Sequence, residues 1–145
     1  MTEWQRIVMD AARRLRRNGL AGGAAALLIL AVAPPTAGAH GFSGPLAWGL
    51  LLAFCLLPLA LSVHLLFDAA LFRLAASYDG EAAGLSAIDD GLARMGLRAR
   101  GSVSATLPER LRGCRRLLWL QRIALAIAAM LYLVLLLDGM EGGGA

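Results

Sequence analysis

The sequence predicts an all-α membrane protein: three transmembrane helices, an N-terminal amphipathic helix and a short cytoplasmic amphipathic helix. Three observations carry this expectation. From Leu46 to Phe67 there are 22 residues without a formal charge, and at ~1.5 Å of rise per residue they reach ~33 Å, enough to cross a ~30 Å hydrocarbon layer. A second apolar run, Leu117 to Leu137, interrupts its 21 residues with one charge, Arg122, and a third, Gly19 to Ala33, has none in 15. Hydrophobic residues make up 59% of the 145, so one membrane domain over 1–145 accounts for the whole chain.

The elements follow in order. Over residues 1–17 the apolar side chains Trp4, Ile7, Val8, Ala11 and Leu15 form one narrow helical stripe, with Arg6, Asp10, Arg13, Arg16 and Arg17 on the opposite arc. Thr2 followed by Gln5 fits a capping box, which gives the helix a local start. Such a helix suits a membrane interface with anionic headgroups, and its stripe suits packing on protein equally well.

Asn18 and Gly19 offer a bend before the first span, 19–36, which Pro34 and Pro35 bring to its end. The same stretch also reads as a signal peptide processed after Ala37, Gly38 and Ala39; the patterned first 17 residues favour retention. Within the run, Gly19 and Gly23 make a GxxxG pair and Gly22 with Ala26 repeats the spacing, so a second helix can approach closely, most simply one from the same chain. A turn-rich connection over 34–44 follows.

The second span, 45–73, carries Pro58, which removes the donor for the Phe54 carbonyl and predicts a kink at mid-depth. Residues 74–107 are the one sizeable polar segment. In it Leu85, Ile88, Leu92 and Met95 fall on one face of a short helix, 85–97, opposite Asp90, Arg94 and Arg98. That face is a candidate for docking on a partner or on the membrane, because so short a helix is marginal alone in water. Thr106 and Glu109 form a second capping box with Pro108 in the first turn, so one helix is expected over 108–138, including the third span. Gly139 closes it, and 139–145 is expected to be a disordered acidic tail.

Charge placement gives an orientation. Five arginines precede the first run and eight lie between Arg73 and Arg116, whereas the 34–44 connection and the tail have none. The positive-inside rule then puts the N-terminus and the long loop in the cytoplasm and the C-terminus in the periplasm of a bacterial inner membrane. All 14 basic residues are arginine, a choice that suits bidentate phosphate contacts and follows as simply from a GC-rich genome. The arginines flank apolar runs and are not interleaved with exposed aromatics, so the expected partners are anionic lipid headgroups and membrane protein subunits, with no nucleic acid.

The residues restrict the chemistry. Cys55 and Cys114 fall at different depths and read as free thiols, and no Cys/His cluster has metal-ligand spacing, so neither metal nor cofactor is expected. His40 and His64 lie about a membrane thickness apart, which excludes a haem held between them. No nucleophile, base and orienting group share a face, so the chain reads as a non-enzyme. The polar residues of interest are His64, Asp68, Gln121 and Arg122, which by depth could form one cluster at the inner boundary, with Asp68 as the carboxylate partner of the intramembrane Arg122. An ion pair fixing helix register is the expected role.

Three spans with this orientation are similar in layout to the membrane anchors of succinate dehydrogenase-type complexes, an analogy of fold alone. Two functions remain: a non-catalytic accessory or scaffold subunit, or an anchor subunit that places His64 near a partner's quinone or haem.

Overall fold

The computed structural model describes residues 2–37, 44–97 and 106–142. Among them are four α-helices and no strand: α1 (Glu3–Thr36), α2 (Gly44–Ala75), α3 (Glu81–Arg94) and α4 (Leu107–Gly142). α1, α2 and α4 are each long and apolar enough to cross a membrane. The chain is an all-α, multi-pass membrane protein. The proposed processing site at Gly38 and Ala39, His40, the arginines at 98 and 100, and the last three residues of the tail lie outside the described residues.

α1 joins the amphipathic segment and the first span in one helix, without a break at Asn18 and Gly19. The reason is local. Asn18 turns its Nδ2 back to the Arg14 carbonyl at 2.8 Å, one turn earlier, and Gly19 is buried. Its start is the expected capping box, with the Thr2 N–H donating to Gln5 Oε1 at 3.0 Å and the Gln5 N–H donating to Thr2 Oγ1 at 3.3 Å. Pro34 and Pro35 sit inside the last turn, where Thr36 Oγ1 donates to the Val32 carbonyl at 2.6 Å and the Ala37 N–H to the Ala33 carbonyl at 2.8 Å. α2 is one helix through Pro58. α4 continues past Gly139 to Gly142, so the tail's first residues are helical.

Buried positions recur at seven-residue spacing. On α4 they are Leu107, Cys114, Gln121, Ala128 and Leu135; on α2, Leu51, Pro58, Leu65 and Phe72, with Cys55, Ser62 and Ala69 between them. On α1 the alternating steps of four and three run Val8, Ala12, Leu15, Gly19, Gly22 and Ala26. A period of 3.5 keeps a narrow seam of side chains turned to one side of a helix.

By contacts the chain divides into two units, one of Met1–Asn18 with His64–Leu117 and one of Gly19–Val63 with Leu118–Ala145. The first holds every arginine except Arg122. In it the N-terminal turns of α1 are packed on protein: Val8, Ala12 and Leu15 are buried, and Trp4 lies against Gly84 of α3. α3 begins at Glu81, ahead of the expected Leu85, with Gly80 as an extended N-cap. It ends in a Schellman motif, in which Gly96 (φ +71°) donates to the Ala93 carbonyl and Leu97 to the Leu92 carbonyl.

The second unit consists of the apolar spans. Its core is Ala33, Leu51, Cys55, Ala128 and Leu135, flanked by Ile29, Trp48, Phe54 and Leu131. Thr36 Oγ1 and Tyr132 Oη share a hydrogen bond of 2.8 Å between α1 and α4.

Candidate functional site

Each unit has its own polar cluster, and the four residues expected to meet at one boundary are shared between them. In the unit of the spans the cluster is built around Gln121, which occupies the buried line of α4. Its Nε2 donates to Ser62 Oγ at 2.7 Å and, at a longer 3.4 Å, to the Pro58 carbonyl. Ser62 Oγ in turn donates to the Pro58 carbonyl at 2.7 Å. Ser62 follows the proline by one turn, and such back-bonding is characteristic of hydroxyls inside membrane helices. A primary amide in hydrocarbon is costly unless paired, and here α2 supplies the partners.

Glycine makes room for this arrangement. A Cβ on Gly22 would stand 2.5 Å from Gln121 Cδ and 3.0 Å from its Oε1, and a Cβ on Gly23 would stand 3.1 Å from Ser62 Oγ. The expected small-residue ridge of Gly19, Gly22, Gly23 and Ala26 is buried in full. At Gly22 and Gly23 it faces α4 and α2 of the same chain.

In the other unit Asp68 is half-buried and accepts a hydrogen bond from Cys114 Sγ at 3.4 Å. The basic groups acting on it are His64, one turn earlier on α2, and Arg110, one turn before Cys114 on α4. Arg110 also forms an ion pair with Asp89 of α3, with side-chain exposures of 14% and 22%. His64 itself is exposed. Arg122 is exposed in its own unit, because it follows the buried Gln121 and so points ~100° away from it. Asp68 and Gln121 each find hydrogen bonds within their own unit.

The two amphipathic faces divide likewise. Of the N-terminal stripe, Val8 and Leu15 are buried, Trp4 and Ala11 are half-buried, and Ile7 is 46% exposed. Of the α3 face, Ile88 is 1% exposed and belongs to the core, Leu85 and Leu92 flank it half-buried, and Met95 is 49% exposed. Among the described residues the buried indole Nε1 of Trp4 has no hydrogen-bond partner.

Sequence reasoning missed Ser62, Asp89, Arg110 and Cys114. Cys114 precedes Gln121 by seven residues and Ser62 follows Pro58 by four, so both were marked by helical spacing. Cys55 and Cys114 are free thiols. Among the described residues no group of three or more His, Cys, Asp or Glu is placed to hold a metal ion. No protein-family model, curated protein or solved structure matches the chain.

Proposed function

We propose that the chain is a small non-catalytic accessory or scaffold subunit of a bacterial inner-membrane protein complex, working through helix packing and cytoplasmic amphipathic surfaces. The observation that supports this reading is the use made of the polar groups inside the helices. Gln121, Ser62, Asp68 and Cys114 each bond to another group of the same chain, and the Gln121–Ser62 and Cys114–Asp68 bonds join α4 to α2. Such bonds fix helix register and specify one packing, the best-attested role for buried polar residues. The arginine bias argues for a cytoplasmic N-terminus and a periplasmic C-terminus.

The test is affinity purification in mild detergent with quantitative mass spectrometry, beside a deletion strain. The reading expects a membrane complex recovered at fixed stoichiometry, and less of that complex assembled in the deletion. A chain that purifies as a monomer, with all membrane complexes intact in its absence, would overturn it.

One observation favours a second reading: His64 is exposed on α2, one turn from Asp68. In a membrane-anchor subunit an imidazole so placed would face a quinone or haem belonging to a partner. A pyridine haemochrome spectrum and quinone extraction of the purified complex separate the two readings, since the scaffold role expects neither group to be lost when His64 is changed to Ala.

A further inference from the structure

On α1, Met9, Ala12, Arg13 and Arg16 lie on one helical face at i, i+3, i+4 and i+7 spacing. Together with Arg73, from the last turn of α2, they line a cavity of about 190 Å³. That is several times the ~30 Å³ share of one liquid water, and large enough for a phosphate group with some hydration. Three guanidinium groups from two helices converge on it. Asp10 faces Arg13 at 3.8 Å, but both side chains are about two-thirds exposed, so solvent screens that pair. The planar guanidinium is the side chain best shaped for phosphate oxygens, and an anion seated in this hollow meets three of them at once.

The sequence positions say which phosphate. Arg16 stands just before the uncharged run that opens at Gly19, and Arg73 just after the run that closes at Phe67. Both therefore belong at the level where hydrocarbon gives way to headgroups. We propose that this pocket binds the phosphate of an anionic phospholipid headgroup, with Arg13, Arg16 and Arg73 as its ligands. It does not depend on the identity of any protein partner.

The experiment is native mass spectrometry of the full-length protein, purified in dodecyl maltoside and titrated with phosphatidylglycerol or with phosphatidylcholine of the same acyl chains. One phosphatidylglycerol per chain should be retained about ten-fold or more tightly than phosphatidylcholine. The double change Arg16→Gln with Arg73→Gln should abolish that preference, and Arg73→Gln alone should weaken it several-fold. The control Arg115→Gln with Arg116→Gln, exposed arginines outside the pocket, should keep it. All four arginines are exposed, so none of these changes should unfold the protein. Equal loss in pocket and control variants would mean diffuse charge attraction and would overturn the proposal. Displacement of the lipid by an equimolar amount of inorganic phosphate would overturn the lipid as the ligand.

Discussion

Replacing Gly22 with Ala tests the polar cluster of the spans at its tightest point. The new Cβ would lie 2.5 Å from Gln121 Cδ, far inside van der Waals contact, so the Gln121 side chain has to move. Moving it breaks the 2.7 Å bond to Ser62 Oγ, which in a membrane protein contributes ~0.6–1.7 kcal/mol. The displaced amide loses its buried partner, a further cost of ~1–3 kcal/mol when nothing replaces it. Alanine recovers about 1 kcal/mol over glycine through helix propensity. The balance is a loss of ~1–3 kcal/mol, to be read from reversible unfolding in mixed micelles of mild detergent and dodecyl sulfate. In a Gln121→Ala background the clashing atoms are gone and Ser62 still reaches the Pro58 carbonyl. The same Gly22→Ala change should there be neutral or stabilising by up to ~1 kcal/mol. The sign of its effect reverses between the two backgrounds, and an equal cost in both would refute the assignment of Gly22 as the seat of Gln121.

The remaining predictions concern the same packing and the orientation. Gly84→Ala should destabilise by ~1–3 kcal/mol, because its Cβ would meet the Ala75 carbonyl oxygen and Trp4 Cζ2, both at 2.9 Å, and a backbone carbonyl cannot swing aside; hydrogen exchange across 81–94 should quicken, and unchanged exchange would count against the Trp4 contact. Ser62→Ala should cost ~1–2 kcal/mol by leaving Gln121 only its longer bond to the Pro58 carbonyl, measured in the same micelles. Glu109→Ala should speed exchange of the Thr106 amide at the start of α4, since Thr106 N–H and Oγ1 both donate to Glu109 Oε2, at 2.9 and 3.0 Å. A phosphatase reporter fused after Ala145 should be active, and one inserted near Gly101 inactive; the opposite pattern would invert the proposed orientation.

What the sequence disclosed and what it hid follow from the range of each interaction. The spans were legible because length and charge alone decide whether a helix can cross a bilayer. The capping box at Thr2 and Gln5 was legible because all its atoms lie within four residues. The hydrogen-bond partners of Gln121 and Asp68 were not, and the reason is geometric. Depth in the membrane is one coordinate; the second, the direction around the helix axis, is set by the buried seam. Gln121 is on that seam at seven-residue spacing from Cys114 and Ala128, and Arg122 is not. Reading the seam on α4 first would have turned Arg122 outward and marked Cys114 as inward-facing. Asn18 misled in another way, since a residue that favours turns stays helical when its amide bonds back to the preceding turn, as it does to Arg14.

The small residues of α1 bear on how a membrane partner could be recognised. A ridge of glycine and alanine is the feature most often used by one membrane helix to hold another, but here Gly22 and Gly23 already face Gln121 and Ser62. What α1 leaves exposed in its span includes Leu20, Leu27 and Leu28, side chains that lipid tails solvate as well as protein does. α4 leaves Ile123, Met130, Leu133, Val134 and Leu137 exposed, and its open side includes a shallow hollow of Ala126, Ile127, Met130, Leu131 and Val134. Faces of this kind give area with little selectivity. For the accessory role proposed above, discrimination between partners must therefore come from outside the hydrocarbon, where the sequence sets every arginine but Arg122 and the exposed ends of the amphipathic segments, such as Ile7 and Met95. A partner selected there should release when those exposed side chains are changed and tolerate leucine-to-valine changes along α4, which is the reverse of what a GxxxG-driven association would show.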